Sequence, residues 1–198
     1  MEITTHGTTA GRIQLKIMKI SRVLGALTVL MTVLVGSRPL LAQNTTRYDV
    51  FAGYSFLRLD TKSYGYTDYS NLNGGNLAGQ YNITHYLAAV ADVSATFTQN
   101  QHFYTFMAGP EISTNRYRGR WFAHALFGKA RNGNEVPGVG SSLGRSIDLG
   151  GGYDYPFRHR FAIRVFQADY LNTSTYGVTQ NNVRVSAGIV IHLGKTLK

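Results

Sequence analysis

Five histidines, His85, His102, His124, His159 and His192, are the obvious general bases of residues 43–198. A hydrolytic or acyl-transfer site needs such a base beside a nucleophile, and no serine or threonine is legibly paired with one of them. No two of these histidines stand in HxxxH or comparable ligand spacing, so no metal site is expected. The chain has no cysteine, which removes thiol nucleophiles, disulfides and cysteine zinc sites. The stretch DLGGGYDY, residues 148–155, carries a triple glycine but lacks the lysine and the strand-to-helix setting of a phosphate loop. Its glycines read as steric relief, letting bulky neighbours fit across a narrow interior. Neither a catalytic residue nor a cofactor is expected.

A different chemistry is open to the charged residues. Asp92, Glu111, Asp148 and Asp154 are acids that strand periodicity places on one face, with Arg184 as a basic counterpart and Arg164 as a second. Such groups are costly to bury unless paired and hydrogen-bonded, so they predict an internal charge network. What would position them is visible in VRVSAGIVIHLG, residues 183–194. Val183, Val185, Ala187, Ile189, Ile191 and Leu193 fall on one face of a strand, and Arg184, Ser186, Gly188, Val190 and His192 on the other. The first face is wholly apolar. It suits a soluble sandwich that buries it, or a membrane barrel that turns it to lipid.

Eight stretches have this character: about 47–58, 74–83, 86–98, 102–113, 120–131, 145–156, 160–172 and 182–193. Most reach ten residues or more, whereas soluble strands usually run to about five or six and a tilted strand crossing a bilayer needs about 9–11. Short connections at 82–86, 115–120 and 157–160 alternate with longer ones at 58–74, 131–145 and 171–182; only TQNQ at 98–101 departs from the rule. Short turns at one end and long polar loops at the other belong to membrane barrels. The faces agree with this reading. One parity collects Asp92, Ser94, Thr96, Thr105, Glu111, His124, Asp148, Asp154 and Arg184, and the other collects Tyr54, Phe56, Val93, Phe97, Tyr104, Phe106, Ile112, Trp121 and Phe127. In the seventh stretch Arg164 falls opposite to Gln167 and Asp169, which predicts a β-bulge near Val165.

The chain is low in charge (15%) and rich in glycine (22) and tyrosine (13), an all-β profile. Residues 18–43, MKISRVLGALTVLMTVLVGSRPLLAQ, have a basic head, an apolar stretch from Val23 to Val35 and a small residue, Ala42, before Gln43. This is the pattern of a cleaved secretory signal, with Met18 as an alternative start. The expected division is therefore a signal over 1–42 and a barrel over 43–198. Residues 1–42 hold five of the 20 basic and one of the 10 acidic residues, which leaves +6 rather than +10 on the remainder. With no continuous basic run and an export signal, nucleic acid is not expected as a partner.

With these strands in place, YTFMAGPEIS (104–113), FAHALFGKAR (122–131), FQADYLNT (166–173) and TQNNVRVSAGIVIHLG (179–194) make the chain resemble the bacterial outer-membrane β-barrel family, in particular the small OmpA/OmpX-like eight-stranded barrels. The resemblance covers roughly 47–194 and implies an eight-stranded antiparallel transmembrane barrel, with outer-membrane lipid and the barrel assembly machinery as partners. The chain ends GKTLK, without the terminal aromatic residue usual in such barrels. Members serve as structural proteins and adhesins, so a structural or surface-interaction role is expected. A lipid-modifying enzyme and a narrow channel are the alternatives. Tyr64, Tyr66 and Tyr69, among Ser, Thr, Asn and Gly, read as an adaptable surface for an extracellular ligand, or as loop tyrosines packed on their own barrel. Arg116, Arg118, Arg120, Arg158 and Arg160 read as soluble turn residues, or as contacts for acidic headgroups or a periplasmic partner.

Overall fold

The computed structural model describes residues 45–62, 69–99, 101–116, 118–134 and 140–197. The signal expected over 1–42 lies outside them, as do Tyr64 and Tyr66. Eight antiparallel strands follow in order: β1 (Thr46–Leu59), β2 (Ser70–Asn82), β3 (Leu87–Thr98), β4 (Gln101–Arg116), β5 (Gly119–Asn134), β6 (Ser142–Arg158), β7 (Phe161–Thr175) and β8 (Val178–Thr196). Each pairs with its neighbours in sequence, and β1 pairs with β8 to close the barrel. Closure leaves no unpaired edge.

The alternation read from the sequence becomes an inside and an outside. Phe106 and Ile112 are 61% and 62% exposed on the outer wall, whereas Arg184 is 1% exposed within. Leu77, Val93, Phe127, Leu149, Val185 and Ile189 continue the exposed apolar wall around the barrel. Aromatic pairs sit on this wall toward the strand ends: Tyr48 with Tyr81, Trp121 with Tyr153 and Phe166, and Phe97 with Tyr104. The polarity of a water-soluble protein is thus inverted.

Strand β7 contains the irregularity expected near Val165. Tyr153 faces Phe166 and Asp154 faces Arg164, so Val165 has no partner on β6, and the register against β8 shifts between Arg164 and Gln167. Val165 and Phe166 both point outward. The extra residue lets Arg164 and Gln167 both turn inward, which strict alternation forbids.

The strands run further than the sequence reading had them, and one connection is corrected. The expected long loop over 171–182 is mostly strand: β7 reaches Thr175, β8 begins at Val178, and only Tyr176 and Gly177 connect them. Both have positive φ, 53° and 74°, as a type I′ hairpin turn requires. A Cβ at Gly177 would meet nothing within 4 Å, so any cost of adding one is that of the backbone. Gly177→Ala is expected to lower stability by about 1 kcal/mol, read as a shifted urea midpoint with an unchanged slope.

Candidate functional site

The barrel interior holds the charged residues in three tiers. Nearest the termini, Arg120 on β5 reaches Asp49 on the facing strand β1 at 3.0 Å and Glu111 on β4 at 2.9 Å. Asn82 Nδ2 donates to Asp49 Oδ2 at 2.8 Å and Gln80 Nε2 to Glu111 Oε1 at 3.0 Å. His192 Nδ1 lies 2.7 Å from Asp49 Oδ1. Two acids on different strands thus share one guanidinium, with amides satisfying part of their remaining acceptor capacity.

In the next tier Arg164 donates Nε and Nη2 to the two oxygens of Asp154, at 2.8 and 3.1 Å, and Nη1 to Gln167 Oε1 at 2.7 Å. Its guanidinium carbon lies 4.4 Å from the ring centroid of Phe51 and 4.1 Å from that of Phe122. A flat, weakly hydrated cation held between aromatic rings and bidentate to a carboxylate uses every property that distinguishes arginine from lysine. Gln167 Nε2 donates to Asp169 Oδ2 at 2.8 Å, joining this tier to the third.

There Arg184 on β8 donates Nε to Asp169 on β7 at 2.8 Å, Nη1 to Asp92 on β3 at 2.9 Å and Nη2 to Asp148 on β6 at 2.9 Å. Asn76 Nδ2 adds a bond to Asp92 Oδ2 at 2.6 Å. Strands β3 and β8 are not neighbours, so Arg184 ties separate walls of the lumen together. Beyond it, toward the long loops, Leu57, Leu59, Leu72, Phe103 and Ala130 form a buried apolar layer. A second cluster that includes Phe51, Met107, Leu126, Leu171 and Val190 fills the space among the charges. The interior is therefore not the purely small and polar one that face-reading predicts. Large apolar side chains seal it as well.

The structure places Asp92, Glu111, Asp148, Asp154, Arg164 and Arg184 inside the barrel, with the acids divided among Arg184, Arg164 and a third arginine, Arg120. Arg120 is a correction. Read as a turn residue, it is buried in the lumen; its neighbour Trp121 faces out, so parity alone would have turned Arg120 in. Asp49 and Asp169 were also missed as network members. Asp169 was hidden by the bulge that upsets the count in β7. Arg118, Arg158 and Arg160 are exposed at the terminal end. Of the three tyrosines read as a ligand surface, Tyr69 lies with its ring centroid 4.1 Å from the Arg58 guanidinium carbon and 4.8 Å from Lys62 Nζ, a contact within its own barrel.

No protein-family model matches the sequence, and no curated protein matches it significantly. Solved structures do. The crystal structure of Neisserial surface protein A aligns with a TM-score of 0.62 at 12% identity, covering 75% of this chain and 98% of that one. This chain has the fold of a small outer-membrane β-barrel. Ail, the attachment invasion locus protein of Yersinia pestis, aligns with a TM-score of 0.51 at 21% identity, covering 74% of this chain and 99% of that one. At such identities the likeness extends to the eight-stranded closed architecture and not to any ligand.

Proposed function

We propose that the protein is an integral outer-membrane barrel of a Gram-negative-type bacterium, with a structural or surface-interaction role rather than a catalytic one. The observation that carries this reading is the inverted polarity: exposed leucine, valine, isoleucine and aromatic side chains surround an interior of paired charges. That arrangement is stable only where lipid replaces water against the wall and every backbone group is paired within the barrel. Two proteins of this fold are named for a surface location and for attachment, which supports display of the longer connections, 60–69 and 135–141, outside the cell. Residues 1–42 would then serve as the export signal, and the lumen network as a brace that keeps the display platform rigid. Partners on this reading are outer-membrane lipid, the assembly machinery and an extracellular or periplasmic ligand.

Protease added to intact cells is expected to cut within 60–69 and 135–141 while leaving the strands whole, and the detergent-extracted chain to begin at Gln43 by mass. Protection of both connections until the cells are broken would reverse the orientation. A chain released in soluble form without detergent would sink the membrane assignment altogether.

A further inference from the structure

Three buried polar atoms of the Arg184 tier lie near one another without a hydrogen-bond partner: His124 Nε2, Asp148 Oδ1 and Asp169 Oδ1. Each belongs to a side chain more than nine-tenths buried. The imidazole nitrogen stands 3.2 Å from Asp169 Oδ1 and 3.8 Å from Asp148 Oδ1, and one ligand atom from each of the three residues lies within 4.8 Å of the others. Neither approach makes a hydrogen bond: the one to Asp148 is too long, and the one to Asp169 does not meet hydrogen-bond geometry. Two ligands bound to one zinc-class ion at about 2.1 Å stand about 3–3.5 Å apart at tetrahedral to octahedral angles. The His124–Asp169 separation already matches, and from the imidazole Asp148 stands about 0.3 Å beyond that range.

The surroundings are those of a built site. Asp148 and Asp169 each give their other oxygen, Oδ2, to Arg184, and Gln167 adds a second bond to Asp169. One carboxylate oxygen is thereby fixed while the other is presented inward, as outer-shell partners do for metal ligands. Gly150 lies opposite both His124 on β5 and Asp169 on β7. A Cβ at Gly150 would strike Asp169 Oδ1 and His124 Nε2, so this glycine of the triple run keeps the meeting place open. Charge points the same way: Asp92, Asp148 and Asp169 converge on the single guanidinium of Arg184. A divalent ion would offset the excess. A cavity with room for about one water abuts His124 between Asp92, Glu111 and Arg164, and neither Asp148 nor Asp169 lines it.

We propose that His124, Asp148 and Asp169 form a binding site for a divalent cation of the zinc class, riveting β5, β6 and β7 inside the barrel. An imidazole with two carboxylates suits borderline first-row ions rather than calcium or magnesium. The competing arrangement is a proton on His124 shared with the two carboxylates, and metal content separates the two.

The test is to refold the full barrel in detergent with Zn²⁺, remove loose metal with a chelating resin and measure what stays. About one zinc per chain is expected, with a higher urea midpoint than the zinc-free protein and an X-ray absorption spectrum fitted by a single imidazole and oxygen ligands. His124→Gln and Asp148→Asn, checked for folding by heat-modifiable gel migration, should retain zinc at least about tenfold more weakly. Wild-type protein that folds but keeps no zinc overturns the site in favour of the shared proton. So do folded variants that bind as well as wild type, or a spectrum with two or more imidazoles, the mark of surface histidines. Should neither variant fold, wild-type stoichiometry and the absorption spectrum decide.

Discussion

Replacing Arg184 by alanine is expected to lower the unfolding free energy of the barrel by about 3–5 kcal/mol. The guanidinium is the sole cation bonded to Asp92 and one of two basic groups at Asp148 and Asp169 among the described residues. Its loss leaves buried carboxylates facing each other with no water to solvate them, and that repulsion, more than the loss of attraction, sets the magnitude. Urea unfolding in detergent reads the effect as a shifted midpoint. Asp92→Asn in the same background should recover part of the loss, because it removes one of the stranded charges. Planar-bilayer recording gives a second readout. Wild-type barrel should show no steady conductance, because Phe103, Leu57 and Leu72 seal the lumen on one side of Arg184 and the Arg164 and Arg120 tiers fill it on the other. A large steady conductance in wild type would favour a channel, and an unaltered midpoint in Arg184→Ala would mean that the arginine is not a buried tie.

Ile189→Arg is expected to destabilise the folded barrel in lipid by about 2–4 kcal/mol. Ile189 is half exposed on the outer wall, opposite Ala52 on β1 and Ile163 on β7, near the middle of β8. In water an exposed isoleucine-to-arginine change far from special features stays within about 0.5 kcal/mol. Against hydrocarbon the same guanidinium must be dragged from its hydration shell or must thin the bilayer around it. The contrast makes the substitution a direct reading of what surrounds the wall. Folding yield and unfolding midpoint in phospholipid vesicles, compared with Ile189→Leu, measure it. A near-neutral result would remove the lipid from the outside of this barrel.

The sequence by itself determined the strands and their faces. Period-two contrast is strong where one side of a strand meets charge and the other aliphatic carbon, so Val183 to Leu193 declared one apolar and one polar face, and the strand lengths and connection pattern of the whole chain turned the first outward and Arg184 inward. The same contrast located the bulge at Val165, since Arg164, Gln167 and Asp169 could not share a face otherwise. Sequence patterning failed where polar residues inside a barrel look like polar residues in a loop. Thr173, Thr175, Gln180 and Asn182 carry turn-like composition, yet they are buried and bonded to one another across a two-residue hairpin. Partnership was the other thing that only the tertiary structure decided. Barrel closure and strand stagger bring Arg184 to Asp92 across 92 residues of chain and Arg120 to Asp49 across 71, and no local pattern encodes such distances. The meeting of His124 with Asp148 and Asp169 has the same origin: each residue is unremarkable on its own strand, and the three acquire a shared chemistry only because Gly150 lets three walls of the barrel approach at one point.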